Sequence, residues 1–255
     1  MRYAIFSDVH AYPQALERVL ADAEGQGVDF RICLGDVVGY GPDPSGAVAL
    51  CRERCDAVVA GNHDHAVADM VSTVFFIPRA KDAVARHRRQ LQEADVEWLA
   101  ELPMSFARED FACAHGEFHR RYGKVEAGFG YVISDSDADF SLRALPPEVR
   151  IAFVGHTHAA CVWRKCGNGL PRLLPPKDFI AEDGVRYVVN IGAVGYPRYH
   201  MKTHYVIYDA EAHKVSFRVL PFDFADYAMR MDDAGIARPA WLEEALGPER
   251  PEEEP

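Results

Sequence analysis

Polar side chains with ligand or acid–base chemistry follow six short apolar runs of this sequence, each at the point where a run ends. They are Asp8, His10, Asp36, Asn62, His63, Asp64, His115, His156, His158 and Asn190. The set combines imidazoles, carboxylates and amides without a cysteine, and hard-to-borderline divalent metal ions prefer such donors. Because a buried polar cluster is costly unless its members find partners, the pattern favours a divalent metal site.

Each motif has a simpler explanation when it is taken alone. Asp8 and His10 are also typical of a strand end with a capping residue for the next helix, and Asp36 is typical of a turn. A lone His115 is more often an ordinary polar residue than a ligand. The Gly-His-Thr-His motif at 155–158 is stronger, because two histidines two residues apart at a strand end point toward the same edge. The combination decides the question, since chance placement of the whole set is improbable.

The elements that must position these side chains are short strands and amphipathic helices. The apolar runs have the length and composition of buried strands, and they cover residues 3–6, 32–34, 57–60, 111–114, 151–154 and 187–189. The helical patterns cover residues 13–24 and 44–54, with two further helices in 79–102 and a break near Asp95. Strands that alternate with helices predict an α/β core, in which ligands bind beyond the carboxyl ends of the strands. Residues 204–220 predict a β-hairpin, so a mixed sheet or two sheets are expected.

The acidic composition limits the partners of the chain. A formal net charge of −11 repels nucleic-acid backbones and anionic lipids, so neither a nucleic acid nor a membrane partner is expected. A small anionic ligand remains compatible, because a bound metal ion can invert the local field. The first ten residues lack the apolar stretch of a signal peptide, and no run approaches the ~20 residues of a membrane helix. A cytoplasmic protein with reduced cysteines is therefore expected.

In their order and spacing the motifs resemble those of the calcineurin-like metallophosphoesterases. The motifs that carry the resemblance are Asp8-x-His10, Gly35-Asp36, Gly61-Asn62-His63-Asp64, His115-Gly116 and Gly155-His156-Thr157-His158. Residues 35–44 and 190–198 also resemble segments of the small prokaryotic phosphodiesterases of that family. Five motifs in the family's order are a highly specific signal, and they span residues 8 to 158.

The resemblance implies a fold and a role for each motif residue. The implied fold is a four-layer α/β/β/α sandwich of two mixed β-sheets with flanking helices. One metal ion would be held by Asp8, His10, Asp36 and His158, and the other by Asp36, Asn62, His115 and His156, with Asp36 as the bridge. His63 would bind no metal and would act as a catalytic donor that faces the substrate phosphate, with Asn62 beside it. Asp64 would orient His63.

The implied reaction is hydrolysis of a phosphomonoester or phosphodiester by a hydroxide that bridges two ions ~3.5–4 Å apart. Mn²⁺, Fe²⁺/Fe³⁺ or Ni²⁺ suit the N/O donor set. A noncatalytic metal-binding interaction protein on the same fold is the alternative, and the complete set of seven ligands together with His63 speaks against it. A nuclease is disfavoured by the acidic charge and by the lack of a Lys/Arg cluster near the motifs.

Several positions depart from the family pattern. Ile191 and Ala193 stand where the related segment usually has proline and serine, and Glu117 and Ala160 also replace common residues. None is an implied ligand. A carboxylate at Glu117 could repel a phosphate or bind a cationic part of a substrate. Arg198 could make a bidentate phosphate contact or could be an exposed loop arginine.

Residues 70–78 and 116–147 show the least regular patterns, and both follow motif residues. Loops in such positions often shape a pocket, so residues 70–78 and 116–131 are predicted to border the substrate entrance. The candidate aromatic contacts there are Phe75, Phe76, Tyr122 and Phe129, for which packing onto the core is the alternative. Residues 1–246 are predicted to form a single domain, and the acidic, proline-rich residues 247–255 to form a disordered tail.

Overall fold

The computed structural model describes residues 1–247. Within them the strands, numbered in chain order as β1 to β14, are Arg2–Phe6, Phe30–Cys33, Ala57–Val58, Ser105–Ala107, Phe111–Ala114, Phe118–Arg121, Lys124–Ala127, Ile151–Val154, Cys161–Cys166, Arg172–Leu174, Phe179–Ile180, Val185–Asn190, Lys202–Asp209 and Lys214–Pro221. The helices α1 to α8 are Pro13–Gly25, Pro44–Arg54, Asn62–Val67, Pro78–Gln90, Glu93–Glu101, Asp135–Ala144, Phe224–Asp233 and Ala240–Leu246.

Two six-stranded sheets form the centre of the protein. The first sheet has the order β11-β14-β13-β1-β2-β3, and the second has the order β10-β9-β12-β8-β5-β4. Both sheets are mixed. In the first, β1, β2 and β3 run parallel while β13 lies antiparallel to β1. In the second, β5, β8 and β12 are parallel and β9 is antiparallel to β12.

Alternation along the central strands shows how the layers stack. In β1, Tyr3 and Ile5 belong to an apolar cluster made by the facing sides of the two sheets. Ala4 and Phe6 belong to a second cluster, in which the first sheet packs against helices. Strands β5 and β8 alternate in the same way between the inter-sheet cluster and a third cluster that includes α6. Since successive side chains of a strand point to opposite faces, the predicted α/β/β/α sandwich is confirmed.

Most predicted elements occur close to their expected bounds. The helix at 44–54 matches α2, whose first turn has Pro44 at N1 and the Asp43 side chain accepting from Gly46 N–H at 2.8 Å. The C-terminal hairpin is β13–β14. Cys33 and Cys113 are buried in β2 and β5. Among the residues that the structure describes, no helix combines the length and the apolar character needed to cross a bilayer.

Two local predictions are wrong. The break between α4 and α5 lies at Leu91 and Gln92, whose backbones are extended, rather than near Asp95. Asp95 sits in the first turn of α5, where a carboxylate is favoured by the helix dipole. Residues 116–147 are more regular than expected, since they hold the β6–β7 hairpin and α6. Residues 70–77 form neither helix nor strand, as expected. Of the predicted tail, residues 248–255 lie outside the described part of the chain.

Candidate metal centre

The predicted ligands come from loops at the carboxyl ends of strands in both sheets. Asp8 and His10 follow β1, Asp36 follows β2 and Asn62 begins α3 just after β3, so these four belong to the first sheet. The second sheet supplies the three histidines at the ends of β5 and β8. They are His115, His156 and His158. The seven side chains meet where the two sheets end together, and all except the half-buried Asn62 are buried.

The backbone at these positions is unusual. Five of the seven predicted ligands have a left-handed conformation, with φ between 47° and 67°, and these are Asp8, His10, Asp36, His156 and His158. Non-glycine residues rarely adopt this region, and each such residue costs about 1 kcal/mol or more. Strain of this kind persists where the surrounding structure imposes it, and it concentrates at functional sites.

The first cluster consists of Asp8, His10 and His158. Nδ1 of His10 lies 3.1 Å from the carbonyl oxygen of Val38, and Nδ1 of His158 lies 2.6 Å from that of Tyr196. A carbonyl oxygen only accepts hydrogen bonds, so both Nδ1 atoms carry the proton, and in the neutral rings Nε2 presents a lone pair. A backbone carbonyl partner on the other ring nitrogen is the usual support of a metal-ligating histidine.

The lone pairs of this cluster face one another. The Nε2 atoms of His10 and His158 are 3.1 Å apart, and Oδ1 of Asp8 lies 3.6 Å and 3.2 Å from them. That Oδ1 atom is buried and has no hydrogen-bond partner among the described residues. Unpaired buried acceptors that converge in this way are strongly unfavourable, and a cation between them removes the conflict. The residues therefore fit a bound metal ion.

The second cluster consists of Asp36, His115 and His156, with Asn62 beside them. His115 Nδ1 donates to the carbonyl oxygen of Leu34 at 2.8 Å, so its Nε2 faces the cluster. That Nε2 lies 3.0 Å from Nδ1 of His156, 3.2 Å from Oδ1 of Asn62 and 3.4 Å from Oδ2 of Asp36. Four donor atoms thus converge at a second position that fits a metal ion.

Asp36 lies between the two clusters. Its Oδ2 atom is 3.6 Å from Nε2 of His10 in the first cluster and 3.4 Å from Nε2 of His115 in the second. Its Oδ1 atom accepts the backbone N–H of His63 at 2.9 Å, which holds the carboxylate in place. This geometry is the one expected of a carboxylate shared by two ions.

The electrostatics of the site favour positive charge. Burial alone would raise the pKa of Asp36, but the rings of His115 and His63 hold that pKa far below its usual range. Burial acts to lower the pKa of His115, yet Asp36 raises it to about 9. The buried carboxylates of Asp8 and Asp36 therefore attract positive charge. Divalent cations bound between them would supply that charge.

His63 lines a cavity above the clusters and is itself not part of either. Burial lowers the pKa of its ring to about 3, so the ring is neutral. Its Nδ1 atom is buried without a hydrogen-bond partner in the described residues and packs against Gly39, where a Cβ would overlap the ring. Gly39 has a φ of +96°. Nε2 is therefore the nitrogen of His63 that can donate to a ligand in the cavity.

Asp64, predicted to orient His63, makes its hydrogen bonds with backbone groups. Its Oδ1 accepts the N–H of Val38 at 3.0 Å and its Oδ2 accepts the N–H of Gly61 at 2.9 Å. The second contact caps the N-terminus of α3, the helix that carries His63. Asp64 thus ties the loop after β2 to the loop after β3. His65 is buried in the same helix.

Arg198 lies beside the cavity on two tyrosine rings. Its guanidinium carbon is 5.0 Å from the ring centre of Tyr40 and 5.1 Å from that of Tyr196. These two rings stack on each other at 4.4 Å.

The cavity has a volume of about 300 Å³ and is lined on its apolar side by Phe75, Phe76, Ile77, Phe129 and Tyr131. The hairpin residue Tyr122 is not among the lining residues and is almost fully exposed.

Three residues with roles at the site went unrecognised or misassigned in the sequence. Asn190 donates from Nδ2 to the carbonyl oxygen of Gly155 and to the hydroxyl of Thr157, so it holds the loop that carries two ligands. Tyr131 stacks on the ring of His156 at 4.0 Å. His87, on α4, forms hydrogen bonds with two backbone groups of the loop after β2. No local pattern marks Tyr131 or His87, and the strand-end pattern that marks Asn190 does not show its role, since the partners of all three lie far away in sequence.

We expect replacement of His87 to destabilise the protein. Its Nδ1 accepts the N–H of Gly39 and its Nε2 donates to the carbonyl oxygen of Gly41, both at 3.0 Å. His87→Leu leaves two buried backbone groups unpaired, at about 1–3 kcal/mol each. His87→Gln keeps a donor and an acceptor and should lose less. Denaturant unfolding measures both variants, and equal stability of His87→Leu and the wild type would contradict this role.

The same contacts predict a pH dependence. Burial lowers the pKa of His87 to about 3, whereas an unfolded histidine titrates near ~6.5. Between about pH 6.5 and 3, the histidine is protonated in the unfolded chain but not in the folded protein. The free energy of unfolding therefore decreases as the pH falls from about 6.5 toward 3. His87→Gln should show a shallower loss over this range than the wild type.

Comparisons with known proteins agree with the fold. Residues 1–213 match the calcineurin-like phosphoesterase superfamily domain. An uncharacterised protein of Methanocaldococcus jannaschii, MJ0912, is 30% identical over 245 residues, which are 95% of this chain and 96% of that protein. The crystal structure of a metallophosphoesterase from Sphaerobacter thermophilus superposes with a TM-score of 0.79 at 34% identity, covering 96% of this chain and 98% of the other.

A hypothetical protein of Pyrococcus horikoshii, PH1004, shares the fold, with a TM-score of 0.71 at 16% identity over 96% of this chain and 97% of the other. A two-sheet sandwich with paired His/Asp clusters at the strand ends defines a metallophosphoesterase type of protein. This chain belongs to the calcineurin-like phosphoesterase family.

Proposed function

We propose that this protein hydrolyses a small organic phosphate ester, a phosphomonoester or a phosphodiester, with the help of two divalent metal ions. The observation that carries the proposal is the pair of converging clusters that share Asp36, with the unpaired Oδ1 of Asp8 in one of them. The first ion would be held by Asp8, His10, Asp36 and His158, and the second by Asp36, Asn62, His115 and His156. Mn²⁺, iron or Ni²⁺ suits these nitrogen and oxygen donors.

The ions, when bound, would lower the pKa of a coordinated water and offset the charge of the phosphoryl oxygens. The protein's own side chains bind and orient the ester. Asn62 and His63 line the cavity beside the second cluster, and the neutral ring of His63 has Nε2 available to donate to a phosphoryl or leaving oxygen. Asp64 keeps His63 in place through α3, and the metal-ligating rings are held by the carbonyl groups of Val38, Leu34 and Tyr196.

The cavity supports a small substrate. Its volume of about 300 Å³ is at the low end for ligand pockets, and the exposed side chains of Phe75 and Ile77 in its lining are apolar. Arg198 is the cationic side chain in its lining. These features, together with the net charge of −11, argue against a nucleic-acid substrate.

Two measurements test the proposal. Elemental analysis of the reconstituted protein should give two divalent ions per chain. The metal-loaded protein should hydrolyse members of a panel of phosphomonoesters, phosphodiesters and nucleotides. Two bound ions without turnover of any ester would favour the noncatalytic binding protein, and at most one ion per chain would contradict the dinuclear site.

We expect Arg198 to contribute to binding of the phosphate. Arg198→Ala removes a charged hydrogen-bond donor, which is worth about 1.5–3 kcal/mol, so KM should rise ~10-fold or more with a smaller change in kcat. Arg198→Lys keeps the charge but not the planar pair of donors and should recover only part of the loss. Steady-state kinetics measures both variants, with Arg52→Ala at an exposed ion pair as control. An unchanged KM in Arg198→Ala would place the guanidinium outside the substrate site.

A further inference from the structure

The segment of residues 128–131, here called the pocket wall, carries two aromatic rings of the cavity. Phe129 lies edge-on to the rings of His65 and His115, at 5.6 Å and 6.2 Å between ring centres. Tyr131 stacks almost parallel on His156, at 4.0 Å and 15°. Both aromatic rings line the cavity. The pocket wall thus lies directly against two of the predicted metal ligands.

Glu117 holds the pocket wall with three hydrogen bonds. Its backbone N–H donates to the carbonyl oxygen of Gly130 at 3.1 Å, and its carbonyl oxygen accepts the N–H of Gly128 at 2.9 Å. Its side-chain Oε2 accepts the N–H of Gly130. A carboxylate acceptor makes the stronger, charge-assisted kind of hydrogen bond. The ends of the pocket wall are therefore fixed to the residue that follows His115-Gly116.

The carboxylate of Glu117 occupies the space above the pocket wall. A Cβ on Gly128 would lie 2.5 Å from Oε1, and a Cβ on Gly130 would lie 2.5 Å from Oε2. A Cβ on Gly116 would lie 2.7 Å from the carbonyl oxygens of both glycines. The carboxylate therefore packs closely against the two glycines that flank Phe129, and Tyr131 follows directly after Gly130.

The charge of Glu117 is directed away from the substrate position. Oε1 lies 3.4 Å from Nδ1 of His119 on the hairpin, Oε2 faces the backbone of Gly130, and Glu117 is not among the residues that line the cavity. Neither role considered from the sequence, repulsion of a phosphate or binding of a cationic group, matches this orientation. Its contacts are those of a residue that positions the pocket wall.

Aromatic side chains also enter the cavity from residues 70–77. Phe75 and Phe76 line it, and Phe76 lies 5.1 Å from the ring of His63. An ester whose phosphorus is near the clusters would place its leaving group among these rings. Aromatic rings prefer planar aromatic partners in stacked or edge-on geometry, beyond what burial of area provides.

We propose that Glu117 is a positioning residue that fixes Phe129 and Tyr131 for a planar aromatic leaving group, so that the enzyme selects phosphate esters whose leaving alcohol carries an aromatic ring. This inference rests on the proposed phosphoesterase function. Glu117, which differs from the residue common in the family at this position, would then affect substrate selectivity and leave the metal clusters unaltered.

The test compares benzyl with cyclohexylmethyl phosphate esters, as monoesters and as methyl diesters. The two leaving alcohols have similar size and basicity, but only one ring is planar. The wild type should prefer the benzyl ester ~10-fold in kcat/KM. Glu117→Ala should lose most of this preference through KM for the benzyl ester, with two metal ions retained. Glu117→Gln keeps an acceptor for Gly130 N–H and should retain the preference.

Two further variants and a binding measurement complete the test. Tyr131→Leu removes a half-exposed ring without touching Glu117 and should lose the preference even if Glu117→Ala folds poorly. Gly169→Ala, at a site with no neighbour within 4 Å of the added Cβ, should behave as the wild type. Calorimetric titration with benzylphosphonate and cyclohexylmethylphosphonate measures the same preference as a ratio of Kd values, without turnover.

The outcomes separate the two proposals. If no ester is hydrolysed, the proposed function fails, while the ratio of phosphonate Kd values still decides the role of the pocket wall. If esters are hydrolysed but the wild type has the same kcat/KM for the benzyl and the cyclohexylmethyl ester, the inference is wrong. A Glu117→Ala protein that keeps the full ~10-fold preference would likewise overturn it.

Discussion

Replacing Asp36 by asparagine is expected to abolish dinuclear metal binding and nearly all turnover. Oδ2 of Asp36 lies 3.6 Å and 3.4 Å from ligand nitrogens of the two clusters, so one substitution weakens both positions. Asparagine keeps the shape of the side chain and an oxygen that can accept the N–H of His63, so the fold should persist. We expect the metal content to fall from two ions to at most one, and kcat/KM to fall by more than ~10³-fold, because both charge neutralisation and water activation depend on the pair of ions.

Asp43→Asn is the matched control for this experiment. Asp43 caps α2 through Oδ1, and asparagine is an equally good cap, so metal content and activity should not change. Metal analysis, circular dichroism and kinetics on both variants separate loss of the site from loss of the fold. An Asp36→Asn protein that keeps two ions and wild-type kinetics would refute the shared carboxylate.

His63→Ala is expected to lower kcat while both metal ions stay bound. The ring belongs to neither cluster, and its Nδ1 packs against Gly39, so its loss removes one donor from the cavity. Removing such a donor typically costs ~10²–10³-fold in kcat. If His63 also donates to the leaving oxygen, the loss should grow with the pKa of the leaving group, so a p-nitrophenyl ester should suffer less than an alkyl ester.

The measurement is kcat/KM over a series of leaving groups, with metal content determined for each protein. His213→Ala, which removes an imidazole that contacts Tyr208 and Asp110, serves as the control. Asp64→Asn should give a smaller kinetic loss together with lower stability, because an amide oxygen can replace only one of the two acceptors that bind Val38 and Gly61. Near-wild-type turnover of every ester by His63→Ala would remove this residue from the mechanism.

The sequence predicted the layout of the site because one rule brings its parts together. Polar residues at the ends of parallel strands share an edge of a sheet, and the resemblance to the family implied which of them would be ligands. Apolar strands that alternate with helices, such as β1 with α1, predicted the α/β core, and the family resemblance implied the four-layer sandwich. These features are local in sequence, so a pattern can reveal them.

The contacts that shape the cavity could not be read in the same way. Glu117 meets Gly130 across the hairpin, His87 meets Gly39 from another element, and Tyr131 stacks on a ring 25 positions away. Each depends on the relative placement of two elements, which periodicity and motif spacing do not encode. The break between α4 and α5 was misplaced for a related reason, since extended backbone at Leu91 and Gln92 has no glycine or proline to mark it.

The position of β1 in its sheet has a consequence for the order in which the protein assembles. β1 lies between β2, which follows it within the first 33 residues, and β13, which is synthesised about 170 residues after β2. A nascent chain that already contains every ligand up to His158 still lacks one neighbour of the strand that leads to Asp8 and His10. Such distant pairings are slow to form, and they leave a strand edge open to other chains until they do. Metal loading is therefore expected to come late, after the C-terminal hairpin has docked.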